Sequence, residues 1–422
     1  MNKLHSLPSS LDVTRTVLEN GITVLVRTNM SSPSIMVNGY LPAGSLFDPE
    51  NKIGIASFTA SMLTRGTRHH TFTEIFDQLE SAAANLSFGG NAHTTGFNLR
   101  CLVEDLPAIL DLFHEVLTEP TFPVEQMEKM RTQILTSLAI MSQDTGEMAG
   151  RAFDEILFVN HPYRFQEIGY PETVAAITRD DLVDFHRRCY GPNGMVIVMV
   201  GAISADEAVE LIRSRLSGWK NSQQPAQPVL PPITPLQTTI RRNTPLAGKS
   251  QADIVMGCIG PTRRSPDYMA CSLGNNILGV FGMMGRIGDI VREQSGLAYY
   301  AYTSLNSGSG PGTWLVSAGV NPTNTDKAIE LAKSEIRRFI YEPVSDEELG
   351  NSKANFIGRL PLSLESNLGV ASTLLNMERY DLGLDYLVNY ADMVNQITPI
   401  QILEAARKYL DPEVMAIGVA GP

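Results

Sequence analysis

Residues 177–201 and 397–421 are two copies of one helix–turn–strand unit. Ile177–Gly201 lies on Ile397–Gly421 without a gap, at a constant offset of 220 residues. Ile177/Ile397, Thr178/Thr398, Arg187/Arg407, Pro192/Pro412, Met195/Met415, Ile197/Ile417 and Gly201/Gly421 coincide. Each copy reads as a threonine N-cap, an amphipathic helix, a proline turn and an apolar strand. A fixed register with shared end points argues for duplication over chance. The chain of 422 residues must therefore build one kind of domain twice, each of a size that a single core can hold. Between the copies runs a stretch rich in proline and glutamine, with Pro225, Pro228, Pro231, Pro232 and Pro235 and no charge from Asn221 to Leu236. Proline at that density prevents both helix and central strand. The expected layout is a domain over 1–220, a linker over 221–237 and a domain over 238–422.

Local patterns in the first half mix strands and helices in runs. Asn20-Gly21 between Arg15–Glu19 and Ile22–Arg27 is a strong hairpin signal, because both turn positions need positive φ. Ser34–Pro42 reads as a strand. Ile55, Phe58, Met62 and Leu63 stripe a helix over about 54–65. Thr71 and Glu74 fit a capping box for the next helix. Strands resume over 85–103, followed by helices over 106–117 and 124–141. Such runs, without strict alternation, predict an α+β fold: two homologous domains, each a mainly antiparallel sheet with helices packed on one face.

The formal net charge of −12 argues against nucleic acid or an anionic membrane as the main partner, since both call for clustered Lys and Arg. No run of about 20 apolar residues suggests a membrane span. Residues 1–16 show neither a secretory h-region nor an Arg-rich transit pattern, so the expected location is cytoplasmic. Cys101, Cys189, Cys258 and Cys271, with no CxxC, read as reduced core thiols. All seven histidines (His5, His69, His70, His93, His114, His161 and His186) lie in the first half, and none forms HxxH or HxxEH. His69-His70 read as a solvated loop and His93 as a strand residue. Gly279–Gly285 is glycine-rich but lacks the Lys-Ser/Thr of a phosphate cradle, and reads as a flexible loop before a helix.

Gly54–Thr67, GIASFTASMLTRGT, resembles the signature of the pitrilysin or inverzincin metallopeptidases, a family that includes insulysin and the mitochondrial processing peptidase. Its members carry G-x-A-H-F-x-E-H-M-L-x-x-G-T here. Gly89–Thr94, Pro171–Thr178 and the two-half layout extend the resemblance over essentially the whole chain. In the active family two histidines one helical turn apart grip zinc, and the glutamate between them activates the bound water. Those places hold Ser57, Ala60 and Ser61. The third ligand of the family, a glutamate roughly 75 residues downstream, falls near Ser137. None of the four coordinates zinc well, while Phe58, Met62, Leu63, Gly66 and Thr67 keep the framework. The resemblance thus implies no metal in this chain.

In the second half, Arg292–Tyr299, REQSGLAY, resembles the family's R-x(6)-Y element, whose arginine and tyrosine hydrogen-bond the carbonyls of bound peptide. Tyr300 and Tyr302 compete with Tyr299 for the role, but alternation turns Tyr300 to the other face and Tyr302 lacks the spacing. In two-chain bacterial members one subunit brings HxxEH and the other brings this pair. The resemblance implies a chain of the second kind: a non-catalytic, substrate-positioning subunit, inactive alone, of a heterodimeric zinc metallopeptidase acting on unfolded peptides. Zinc would then sit in the partner subunit, and a homodimer would form only without that partner. The rival expectation is a purely structural or interaction protein of the same fold.

Overall fold

The computed structural model describes residues 7–422. The strands are β1 Thr14–Val17, β2 Thr23–Thr28, β3 Ser34–Leu41, β4 Asn85–Gly90, β5 Thr95–Leu102, β6 Val196–Gly201, β7 Ile240–Pro245, β8 Ala252–Gly260, β9 Ala298–Asn306, β10 Gly312–Val320 and β11 Ala416–Gly421. The helices up to the linker are α1 Ile55–Met62, α2 Phe72–Ser81, α3 Leu106–Thr118, α4 Val124–Met141, α5 Thr145–Leu157, α6 Pro171–Ala176, α7 Arg179–Cys189 and α8 Ala205–Leu216. Those after it are α9 Tyr268–Gly279, α10 Phe281–Gly288, α11 Thr325–Tyr341, α12 Asp346–Ser363, α13 Asn367–Arg379, α14 Tyr386–Gln396 and α15 Pro399–Tyr409.

The duplicated unit is α7–β6 in the first copy and α15–β11 in the second. Both helices start from a threonine capping box, Thr178 with Asp181 and Thr398 with Gln401. The correspondence extends further back: α4 and α12 each have 18 residues, and α5 and α13 each have 13. The capping box at Thr71–Glu74 is present as the pattern predicts. The expected loop over 279–285 is instead a helix junction, where α9 passes into α10 with Gly282 and Gly285 at φ +66° and +63°.

Among the described residues one compact unit comprises 7–138, 165–229 and 361–388. Its six-stranded sheet has the order β1-β2-β6-β3-β5-β4. Only the β2–β6 pair is parallel. On one face Val24, Val26, Ile35, Val37, Leu99 and Ile197 join the apolar stripes of α1, α3 and α8 in a continuous core. The other face is covered by α13, which lies against β3 and β6. There Ser372 accepts from Asn38, and the Arg379 guanidinium stands 4.4 Å from the Tyr40 ring centroid.

The second unit comprises residues 139–164, 230–360 and 389–422. Its five-stranded sheet runs β7-β11-β8-β10-β9, with β7–β11 parallel and the other pairs antiparallel. Ala252, Ile254, Met256 and Cys258 of β8 point into a core with α9, α11 and α15. Val255 and Ile259, on alternate positions, point to the other face, where α5 brings Ala149, Phe153 and Ile156. The approach is close enough that a Cβ on Gly418 of β11 would stand 2.0 Å from the Ala149 carbonyl oxygen.

The expected α+β architecture is present in both units, as mixed sheets with packed helices. Sequence patterning accounts for one covered face per sheet. The second face is covered by a helix that follows α4 or α12 in the chain, so that residues 139–164 belong to the second unit and 361–388 to the first. Division along the chain at 221–237 and division by compactness therefore draw different lines. No helix among the described residues is long and apolar enough to cross a membrane.

Candidate functional site: a dismantled metal helix and an exposed arginine–tyrosine segment

The retained residues of the Gly54–Thr67 signature each have a structural reason. Gly54 caps α1 at φ +100°, and a Cβ there would lie 2.7 Å from the Ile168 carbonyl oxygen. The Asp48 carboxylate accepts from the N–H groups of Gly54 (2.7 Å) and Ala56 (3.1 Å), closing the helix N-terminus. Burial pushes Asp48 up to about 7, against those backbone bonds, which favour the charged form. Phe58, Met62 and Leu63 are fully buried. The Arg131 guanidinium of α4 lies 5.6 Å from the Phe58 ring centroid and donates to the Ile177 carbonyl, fixing α4 beside α1. Gly66 takes φ +146° with Pro123 against it. Thr67 is buried, with its hydroxyl donating to Glu115 and accepting from the His70 N–H.

The four positions that serve zinc in the family resembled hold small side chains here. Ser57 and Ser61 lie one turn apart on a half-exposed face of α1, and the Ser61 hydroxyl donates to the Ser57 carbonyl oxygen at 2.9 Å. A serine folded back on its own helix is a common way to satisfy the hydroxyl locally. Ala60 is buried, and Ser137 is exposed on α4. A methyl group and three neutral hydroxyls do not fit a zinc ion, which takes imidazole, thiolate or carboxylate. Among the described residues no group of three or more His, Cys, Asp or Glu could hold a metal ion. The edge strand β4 still passes close by: a Cβ on Gly90 would stand 2.9 Å from Ser57 Cα.

The histidines serve elsewhere. His69 is exposed, 3.5 Å from Glu119, and His70 Nδ1 is 2.9 Å from Glu115. The His186 ring meets the Leu117 carbonyl at 2.9 Å, and burial lowers it to about 4. His161 is buried beside Phe158 and Tyr163. His5 lies outside the described residues. All four cysteines are free and buried, and burial pushes the Cys101 thiol up to about 12.

In the second unit Arg292 sits in a π-helical turn, Asp289–Gln294, that continues α10. Single π turns within helices are frequent at functional positions. The turn closes through Gly296 at φ +61°, whose N–H bonds back to the Arg292 carbonyl. The chain then enters β9. The β9–β10 register shifts at its start: Val320 pairs with Ala298 and Gly319 with Tyr300, leaving Tyr299 as an extra residue. That is a β-bulge, a device that re-aims a side chain. Tyr299 is 72% exposed. Arg292 is one-third exposed, with Nε 3.6 Å from the Glu293 carboxylate. Both side chains are donors open to solvent on one short segment at the sheet edge. Tyr300 points elsewhere, donating its hydroxyl to buried Asp253 at 2.5 Å. Burial, with that bond and the charge on Asp253, raises the phenol above its ordinary value. Tyr302 packs on Tyr300, ring centroids 5.7 Å apart. Motif reading misses Asp253; the available signal is that it is the one charged residue in the apolar strand β8.

Residues 23–164 match the family model described as insulinase, peptidase family M16, and residues 176–356 match the one described as the peptidase M16 inactive domain. The chain is 25% identical over 415 residues to an uncharacterized zinc protease of Streptomyces coelicolor, covering 96% of this chain and 89% of that one. It is 22% identical to the mitochondrial-processing peptidase subunit beta of Saccharomyces cerevisiae, covering 88% and 83%. The crystal structure of a peptidase M16 inactive domain from Pseudomonas fluorescens superposes with a TM-score of 0.90 at 26% identity, covering 97% of this chain and 98% of that one. With M16 models matching both halves of the duplicated fold, the chain belongs to the peptidase M16 family.

Proposed function

We propose that this chain is a substrate-positioning subunit of a two-chain zinc peptidase. It contributes Arg292 and Tyr299, and a homologous partner contributes the metal and its ligands. The observation that carries this reading is the contrast between the two signatures. The zinc positions hold Ser57, Ala60, Ser61 and Ser137, while Arg292 and Tyr299 keep the family spacing and are presented to solvent by a π turn and a bulge. A guanidinium and a phenol are both donors. Held in place, they bind successive peptide carbonyls and stabilise charge that develops on one of them as the bond breaks. They demand carbonyls and no particular side chain, so the expected substrate is an unfolded peptide. Membership of a family that includes a named processing-peptidase subunit supports the need for a partner. Without one, a homodimer is the expected state, and the working compartment is the cytoplasm.

The test is reconstitution. The chain alone, dialysed, should hold no stoichiometric zinc and cleave no peptide. Mixed with an HxxEH-bearing homologue from the same genome, it should turn over an unstructured fluorogenic peptide, and chelator should abolish this. In that complex Tyr299→Phe should lower kcat/KM by roughly 100- to 1000-fold, the usual effect of losing one such donor. Arg292→Lys keeps charge but loses the planar fork and should also be impaired. Wild-type turnover by both variants would leave the purely structural reading in its place.

A further inference from the structure

The edge strand that carries Tyr299 is tied two strands inward by a single side chain. The pairing registers place Asp253 of β8 opposite Gly319 of β10, and Gly319 opposite Tyr300 of β9. The three residues form one row across the sheet. Neighbouring strands stand about 4.8 Å apart, so β8 and β9 are roughly 10 Å apart along this row. A side chain on the middle strand would block the path. Gly319 has none: a Cβ there would be 2.6 Å from Tyr300 Cε1 and 3.0 Å from Asp253 Oδ1. The Tyr300 ring lies over that glycine, and its hydroxyl meets the Asp253 carboxylate.

Asp253 is itself held. Gln251 Nε2 donates to Oδ1 at 2.9 Å, and the Thr145 hydroxyl at the start of α5 donates to Oδ2. A carboxylate that is 3% exposed and takes three donors is an exacting acceptor. Its strength depends on every donor staying in place. The residue it grips immediately follows the bulge. At Tyr300 the ladder is locked, and at Tyr299 it is interrupted. A bulge next to an untethered edge can migrate along the strand, and moving it by one residue would exchange which side chain is left unpaired.

We propose that Asp253 and Tyr300, with Gly319 between them, are positioning residues that pin the bulge at Tyr299. This rests on the reading of Tyr299 as a donor to peptide carbonyls. The clamp acts on where the Tyr299 hydroxyl stands, and neither Asp253 nor Tyr300 touches the substrate. Tyr300→Phe is for this reason no neutral control for Tyr299→Phe, although its ring faces away.

The experiment uses the full chain and two readouts. Hydrogen exchange at residues 298–302, with the 19F spectrum of fluorotyrosine-labelled protein, reports the strand and the Tyr299 environment. Binding of a fluorescein-labelled, reduced and carboxymethylated protein fragment reports peptide capture. Tyr300→Phe should speed exchange over 298–302 by about 10- to 100-fold, the usual effect of losing a hydrogen bond to a charged group, and broaden or shift the Tyr299 resonance. It should weaken the labelled peptide as Tyr299→Phe does. Asp253→Asn keeps an oxygen acceptor for the phenol and should retain most of the protection that Asp253→Ala loses. Gly319→Ala, which intrudes on the ring, should behave like Tyr300→Phe. Unchanged exchange and an unchanged Tyr299 resonance in Tyr300→Phe overturn the clamp whatever Tyr299 does. Faster exchange with peptide binding lost in Tyr299→Phe but intact in Tyr300→Phe also overturns the positioning role. If Tyr299→Phe itself leaves peptide binding intact, the peptide reading fails, and the positioning role fails with it.

Discussion

At the scale of single residues, the M16 signature separates what holds the fold from what does chemistry. Gly54, Phe58, Gly66 and Thr67 stay because a Cβ, a smaller ring or a lost hydroxyl would disturb backbone and core. Ser57 and Ser61 are half-buried, and the Ser61 hydroxyl is satisfied within α1 by the Ser57 carbonyl. Charged residues show the same logic in the second unit. Glu348 at the start of α12 takes a two-pronged contact from Arg286, at 2.6 and 2.7 Å, and a bond from the Ser345 N–H. The Arg286 bond above all holds its carboxyl at about 2, below the usual 4.5. A depressed folded pKa adds stability that is present above about pH 4.5 and is lost as pH falls toward 2. Glu348→Gln should therefore cost about 2–3 kcal/mol at pH 7. The gap from wild type should narrow steadily from pH 4.5 to pH 2 in urea titrations. Arg286 keeps Glu335 within 3.7 Å, which holds the loss to this size.

Elements were legible where one periodicity controls them. The hairpin itself, the α2 capping box, the helices over 106–118 and 124–141 and the repeated α7–β6 and α15–β11 units follow from local pattern, although in the hairpin turn Gly21 takes positive φ and Asn20 does not. The bulge at Tyr299 did not follow, because alternation assumes an unbroken ladder and the break is set by pairing with β10. The π turn at Arg292 is equally silent in sequence. The approach of α5 to β11 makes a direct prediction. Gly418→Ala adds one methyl group where the Ala149 carbonyl oxygen would be 2.0 Å away and the Phe153 nitrogen 2.8 Å away. Backbone atoms cannot rotate aside, so α5 must lift from the sheet. Overpacking of this kind costs about 1–3 kcal/mol, and thermal or denaturant unfolding should show that loss. Gly350→Ala, with open space around it on α12, should be neutral or slightly stabilising.

Across the whole molecule, each compact unit contains a segment from the other half of the chain. The first holds 361–388 and the second holds 139–164. A protease site placed between Pro225 and Pro228 should therefore cut the linker without releasing two independent domains. After cleavage the fragments should co-elute in gel filtration and unfold together. Two separate peaks in native buffer would show that α5 and α13 are not needed to cover their sheets. The sequence by itself determined the duplication, the α+β class and most element positions. Those depend on neighbours in the chain, on side-chain chemistry and on a register that a repeat preserves. Tertiary structure alone decided which helix covers the second face of each sheet, and that Asp253, Gly319 and Tyr300 fall in one row. Such choices join residues from about 20 to more than 300 positions apart, and they are settled by buried apolar area and strand register, which no local pattern encodes.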